Sequence, residues 1–148
     1  VSQKTVADNK LIYLIHKHQA SHLHYDLRLE ESGVLKSYAL PKEPPTRPGE
    51  KRLAIQVEDH PLSYADFEGL IPEGQYGAGQ VEIWDRGYYL ILEKNEKMKE
   101  MLILGKKLSG VYTLVKIKDK ENKARNLWLF FKNKDQTKKV RQKDEPAL

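Results

Sequence analysis

Apolar and polar residues alternate along most of the chain, and a period of two predicts strands rather than helices. Leu11 to Lys17 reads as a first strand, rich in Ile, Leu and Tyr. Leu23 to Glu30 alternates most cleanly, with Leu23, Tyr25, Leu27 and Leu29 on one face and His24, Asp26 and Arg28 on the other. Glu31-Ser32-Gly33 predicts a turn into Val34 to Leu40, so these two segments form a hairpin. Pro41, Pro44, Pro45 and Pro48 make the next stretch a loop, because proline donates no ladder bond. Arg52 to Glu58 alternates again, with Leu53, Ile55 and Val57 facing one way. His60-Pro61 then opens a long connection through Gly69, Pro72, Gly74, Gly77 and Gly79. Val81 to Trp84 and Tyr88 to Leu92 predict a second hairpin across Asp85-Arg86-Gly87. Met98, Met101 and Leu102 fall at helical spacing, which predicts a short helix over Glu93 to Leu104. Val111 to Lys118 and Leu127 to Lys132 complete the strands. The expected fold is all-β: a compact closed β-barrel of about eight mostly antiparallel strands with one short helix. Closure is favoured because it removes exposed edges, although periodicity alone leaves an open sandwich as the alternative.

Composition narrows the function classes. The chain has 148 residues, 39% hydrophobic and 32% charged, which is enough apolar material for one domain spanning 1–148. A net charge of +5 and a pI near 9.2 give a basic but mixed surface, weak support for an anionic partner. The absence of cysteine excludes disulfides, thiolate zinc sites, iron–sulfur clusters and a cysteine nucleophile. The longest apolar runs, such as Leu11 to Ile15, fall far short of the about 20 residues a membrane span needs. Val1 to Lys10 is polar and shows no signal-peptide pattern, so the expectation is a soluble, cytoplasmic monomer without membrane contact. The missing initiator Met suggests a processed product or an excised fragment. The polar tail over 134–148 is expected to fray.

Four of the five histidines, His16, His18, His22 and His24, fall close together, with Asp26 and Arg28 behind them. Strand alternation makes His24, Asp26 and Arg28 project from one face. Imidazoles with a carboxylate bind a divalent ion, and an arginine beside them offers a fork for phosphate oxygens. The competing reading of that stripe is a solvated outer face with Asp26 pairing Arg28. An H-E-x-x-H zincin motif is absent, and His22-Leu23-His24 lacks the glutamate that cupins place about four positions on. Gly74 to Gly79 lacks the Lys-Ser/Thr of a P-loop and reads as tight turns. His60 at a strand end, with Tyr64 four residues on, offers a proton carrier and a hydroxyl donor. Lys42 and Arg52 extend the basic residues, and the Lys-rich stretch from Lys132 to Lys143 reads as a solvated tail.

One block carries a resemblance: His18-Gln19-Ala20-Ser21-His22-Leu23-His24-Tyr25-Asp26-Leu27-Arg28-Leu29-Glu30. With Leu35 to Lys42, Val57 to Tyr64, and Phe67-Glu68-Gly69 through Trp84-Asp85, it resembles the 3′-phosphoesterase domain of bacterial DNA ligase D and its stand-alone relatives. The likeness is dense from Tyr13 to Gly87 and looser to Asp135. It implies a compact barrel enzyme of DNA repair by non-homologous end joining. Such an enzyme removes a 3′-terminal ribonucleoside from a primer strand and hydrolyses the remaining 3′-phosphate to a 3′-hydroxyl. It implies a divalent metal, foremost Mn2+ with Zn2+ or Co2+ as alternatives, bound by His18, His24 and Asp26. Arg28, His60 and Tyr64 would surround the scissile phosphate, with Lys42, Arg52 and Glu58 supporting the substrate. The partners implied are primer–template 3′ ends, with a separate ligase and repair proteins, since the chain has no room for ligase or polymerase modules. The family pattern carries Gln where this chain has His16 and tolerates other polar residues at His22, so neither joins the implied ligand set. Asp8 is the sole upstream acidic residue to stand for those some relatives carry. The competing functions are a non-catalytic basic barrel that binds nucleic-acid ends and an unrelated small-molecule metallo-barrel.

Overall fold

The computed structural model describes residues 10–121 and 125–137. Nine strands appear among them: β1 (Leu11–Gln19), β2 (Leu23–Glu31), β3 (Val34–Leu40), β4 (Lys51–Pro61), β5 (Gly69–Ile71), β6 (Gly79–Asn95), β7 (Met98–Gly105), β8 (Ser109–Ile117) and β9 (Asn126–Lys132). The sheet runs β1-β2-β3-β4-β9-β8-β7-β6 and closes because β6 pairs back onto β1. The result is a closed eight-stranded antiparallel barrel, with β5 as a short extra strand on β6. Among the described residues the helical content is one 3₁₀ turn, Leu62–Asp66.

The barrel interior is filled. Tyr13, Leu27, Tyr38, Tyr89, Met101 and Phe130 pack there with Tyr112 and Trp128. Each fully buried large side chain contributes about 1.5–3 kcal/mol. The tyrosine hydroxyls find partners at the rims, Tyr89 on the Glu30 carbonyl at 2.6 Å and Tyr112 on that of Pro45 at 2.9 Å. Interior space is thus spent on stability, which sends any ligand chemistry to the outside of the barrel.

Two sequence expectations give way. Glu93 to Leu104 is not a helix: β6 continues to Asn95, turns through Glu96-Lys97, and returns as β7. Met101 and Ile103 point into the core at period two, while Leu102 and Leu104 face outward. Apolar residues on both faces mimic helical spacing, and pairing on both sides to β6 and β8 overrides it. The hairpin expected across Asp85-Arg86-Gly87 is continuous strand. The register shifts by one residue at Trp84, a bulge, and Asp85 turns inward. Its carboxylate accepts the Tyr13 hydroxyl at 2.9 Å and the backbone N–H groups of Lys106, Lys107 and Leu108 at 3.0, 3.0 and 2.9 Å. Gly87 is needed for close approach, since a Cβ there would meet the Leu104 carbonyl at 2.1 Å.

Smaller differences concern faces. Leu23 is exposed, whereas Tyr25, Leu27 and Leu29 enter the core as expected. On β4 it is Ala54 that faces the core, and Leu53, Ile55 and Val57 lie on the outer face. Of the tail expected to fray from 134, residues 134–137 are described, and Gln136 bonds both the N–H and the carbonyl of Val111, at 2.7 and 3.0 Å. The remainder of that tail and Asp8 lie outside the described residues.

Candidate active site

The outer face of β1–β4 carries the polar cluster. Hairpin register sets His18 opposite His24, His16 opposite Asp26 and Leu14 opposite Arg28. The next strand adds Ser37 opposite Arg28 and Ala39 opposite Asp26. Between Leu35 and Ser37, β4 has one residue more than β3, and this bulge brings His60 opposite Leu35. Residues 61–79 fold back over this face. A second apolar cluster, Leu14, Leu35 and Ala65 with Ile12, Leu62 and Tyr64, fastens them there. The stripe read as a solvated face is therefore covered: Asp26 and Arg28 are 6% and 3% exposed.

Between the strands and this cover lies a cleft of about 1160 Å³, lined by His18, His24, Asp26, Arg28, His60 and Tyr64, among others. At one side His18 Nδ1, His24 Nε2 and Asp26 Oδ2 converge. The separations are 3.1 Å between the imidazoles, 3.7 Å from His18 to Asp26 and 3.3 Å from His24 to Asp26. The other ring nitrogens are engaged: His18 Nε2 donates to the Ala78 carbonyl at 3.2 Å and His24 Nδ1 to that of His22 at 3.3 Å. Each imidazole thus turns a lone pair toward the other and toward a carboxylate, an arrangement that repels itself unless a cation or proton sits between. Bonds of about 2.1 Å place donors about 3.0 Å apart at right angles and about 3.4 Å apart in a tetrahedron. The observed spacing fits a divalent ion, and this is the one such His/Asp/Glu group among the described residues.

Arg28 occupies the middle of the cleft floor. Its Nε donates to His16 Nδ1 at 2.9 Å, Nη1 to Ser37 Oγ at 2.8 Å, and Nη2 to Asp26 Oδ2 at 3.5 Å. The guanidinium lies 4.9 Å from the centre of the Tyr64 ring. Burial works against the Asp26 charge, but a proton held between it and the His18 and His24 rings, together with the Arg28 charge, more than offsets it, and the carboxyl pKa falls well below the ordinary value. The same Asp26 bond raises the pKa of His24 against the effect of burial.

His60 closes the opposite side. Its Nδ1 lies 3.0 Å from the Glu58 carbonyl, to which it donates, and 3.3 Å from Arg28 Nη1. That leaves Nε2 as the nitrogen with a lone pair. Burial, then the Arg28 charge, lowers the His60 pKa. Tyr64 stacks on Phe67 at 5.0 Å and tilts against His60 at 4.8 Å. Burial raises its hydroxyl pKa, with Arg28 opposing.

The residues singled out from the sequence therefore divide. His18, His24, Asp26, Arg28, His60, Tyr64 and Glu58 all line one cleft. Lys42 and Arg52 are not among its lining residues; Lys42 is exposed, and Arg52 donates to the Glu43 carbonyl at 2.7 Å. His16, set aside from the ligand set, is completely buried and holds Arg28, while its Nε2 donates to the Phe67 carbonyl at 3.0 Å. Burial and then the Arg28 charge lower its pKa to about 4, so the ring is neutral. Ser37 and Tyr76 were also missed. Position 16 had a signal, since it shares a strand face with His18, but Tyr76 sits on a loop where alternation says nothing.

Residues 16–116 match the family model of the DNA ligase D 3′-phosphoesterase domain. Among curated proteins, the chain is 48% identical over 130 residues to the multifunctional non-homologous end joining protein LigD of Pseudomonas aeruginosa, covering 84% of this chain and 15% of that protein. It is 41% identical over 139 residues to the LigD of Mycolicibacterium smegmatis, covering 84% of this chain and 17% of the relative. For the LigD of Mycobacterium tuberculosis the figures are 43% over 121 residues, 76% and 15%. The chain thus spans about one sixth of the length of these relatives. No helix among the described residues is long and apolar enough to cross a membrane. The family match takes in every residue of the cleft just described, from His18 to Gly79, and on it the chain belongs to the DNA ligase D 3′-phosphoesterase domain family.

Proposed function

We propose that this chain is a metal-dependent phosphoesterase that heals nucleic-acid 3′ ends. It removes a 3′-terminal ribonucleoside, hydrolyses a 3′-phosphate, or does both, and leaves a 3′-hydroxyl for repair and ligation. The observation that carries this reading is the pair of imidazole lone pairs and the carboxylate aimed at one point beside a buried arginine. His18, His24 and Asp26 would hold the ion, with Mn2+ the first choice and Zn2+ or Co2+ accepted by the same donors. A bound divalent ion supplies charge neutralisation at a phosphoryl oxygen and acidifies water.

The remaining roles belong to the chain's own side chains. Arg28, fixed by His16, Ser37 and Asp26, binds the phosphoryl oxygens and stabilises the charge they gather in the transition state. Arg28 lies between Asp26 on one side and His60 on the other, so a water attacking the phosphorus from the Asp26 side would expel the leaving oxygen on the His60 side. His60, once protonated beside the phosphoryl charge, would deliver that proton to the leaving alkoxide, a step typically worth about 10²–10⁴ in rate. Tyr64 donates its hydroxyl to the same phosphate, and Glu58 orders the far wall of the cleft. Lys42 and Arg52 would act on the strand beyond the cleft, not on the reacting group.

The filled barrel interior and the external cleft also favour a macromolecular end over a small molecule enclosed in a barrel. The test is a labelled primer ending in a 3′-phosphate or a single 3′-ribonucleotide, incubated with Mn2+, Zn2+ or Co2+ and resolved on a gel. Cleavage that needs the ion and is lost in Asp26→Ala is expected. Wild-type 3′-phosphatase activity in Asp26→Ala with added manganese would overturn the metal assignment, and salt-sensitive binding without turnover would leave only a binding module.

A further inference from the structure

Tyr76 is the most exposed of the large hydrophobic residues, at 74%, yet it lines the cleft. Its loop is held by turn bonds from Gln75 N to Pro72 O (3.3 Å) and Ala78 N to Gln75 O (3.1 Å), with Gly74 and Gly77 at φ +86° and +76°. One end of the loop is tied down where Ala78 O accepts from His18. Tyr76 and Glu58 line the same cleft, and burial, then the Glu58 carboxylate, raises the Tyr76 hydroxyl pKa, with Asp26 adding to this and Arg28 opposing. The phenol thus belongs to the cleft wall while its ring stays bare.

The position has a direction. Glu58 supplies the carbonyl that orients His60, so Tyr76 stands on the His60 side of Arg28, where the leaving oxygen departs. The cleft volume, about 1160 Å³, is on the scale of pockets for whole small molecules and far exceeds the space of one phosphate. An exposed aromatic ring over such a space is the usual platform for an unpaired base, tolerant of sequence because every base has a π-face. We propose that Tyr76 is a specificity-determining residue that stacks on the base of the departing 3′-terminal ribonucleoside. The inference rests on the phosphoesterase reading of this site and names how its leaving group is held.

The test pairs two primers, one ending in a ribonucleoside with its base and one ending in an abasic ribose. Binding is measured by fluorescence anisotropy without added divalent ion, so that the strand stays intact, and cleavage is then started with Mn2+. Wild type should bind the base-bearing primer more tightly than the abasic one by roughly tenfold to a hundredfold. Tyr76→Ala should abolish that difference by weakening the base-bearing primer alone, and Tyr76→Phe, which keeps the ring and removes only the hydroxyl, should preserve it. Equal binding of both primers by wild type, or equal weakening of both in Tyr76→Ala, would overturn the platform. Base-dependent binding with no turnover after Mn2+ would instead sink the phosphoesterase reading while leaving the platform standing.

Discussion

Replacing His16 by Gln separates the charge state of a buried ring from its hydrogen bonds. The imidazole accepts at Nδ1 and donates at Nε2, and a glutamine amide offers one acceptor and two donors without titrating. In the wild type the folded-state pKa of His16 is lowered to about 4, against an ordinary value of 6.5 for the unfolded chain. A group depressed in this way binds its proton more readily when unfolded, so its contribution to stability is intact above pH 6.5 and is lost as pH falls toward 4. Between pH 7 and pH 5 the unfolded imidazole becomes almost fully protonated and the folded one stays neutral. That difference of about 1.5 pH units costs about 2 kcal/mol, or roughly 4–8 °C in melting temperature for a chain of this length. Chemical denaturation of both proteins at pH 7 and pH 5, with chelator present, reads it directly. His16→Gln should lose about 2 kcal/mol less than wild type over that interval. Parallel losses would show that His16 is protonated in the folded protein, and the neutral-acceptor role at Arg28 Nε would be refuted.

Arg28→Lys tests the fork itself. A lysine cannot serve His16, Ser37 and Asp26 together, so ion-dependent turnover should fall by at least about 10², while thermal melting shows the barrel still folded. Asp85→Ala tests the barrel interior, since Asp85 is not among the residues that line the cleft. It strands the Tyr13 hydroxyl and three backbone donors in the β7–β8 turn, and should cost about 3–5 kcal/mol, seen as a melting temperature lower by roughly 10 °C or more.

Legibility of the fold followed the burial of each strand's second face. β2 could be placed from alternation because Tyr25, Leu27 and Leu29 contrast with polar neighbours, β1 from its run of Ile, Leu and Tyr, and β3 from the turn at Glu31-Ser32-Gly33. The contrast fails where both faces are covered. Leu53, Ile55 and Val57 share one face, as their alternation says, but it is the outer one, and the small Ala54 meets the packed interior. On β7 the neighbours Met101 and Leu102 point to opposite sides, and a double-sided apolar strand reads as a helix. Asp85 and Gly87 have turn chemistry but serve a buried cap and a close approach, and only tertiary pairing distinguishes the two uses. The site divides in the same way. His24, Asp26 and Arg28 share a face by alternation alone, whereas the support of Arg28 by Ser37 depends on hairpin register, and the place of Tyr76 in the same cleft as Glu58 depends on a loop.

The division between inside and outside also explains why so much charge can be buried here. An isolated Asp26 or Arg28 at this depth would be expensive. Each is instead compensated within a single layer: Asp26 by His18, His24 and Arg28, and Arg28 in turn by His16 and Ser37. The covering segment completes that layer through main-chain groups, since the carbonyls of Phe67 and Ala78 set the tautomers of His16 and His18. Its attachment adds polar bonds to the apolar cluster around Leu14 and Leu35, with Glu68 accepting from Ile83 N at 2.9 Å and Asp66 accepting from Arg86 at 3.0 Å. The loop that hides the site is therefore also what tells His16 and His18 which nitrogen to present. Most of the barrel's stability comes from the tyrosine-rich interior, so the polar layer can keep three electron pairs facing one point. That arrangement makes little sense as a stabilising device and good sense as a seat for a cation beside a phosphate.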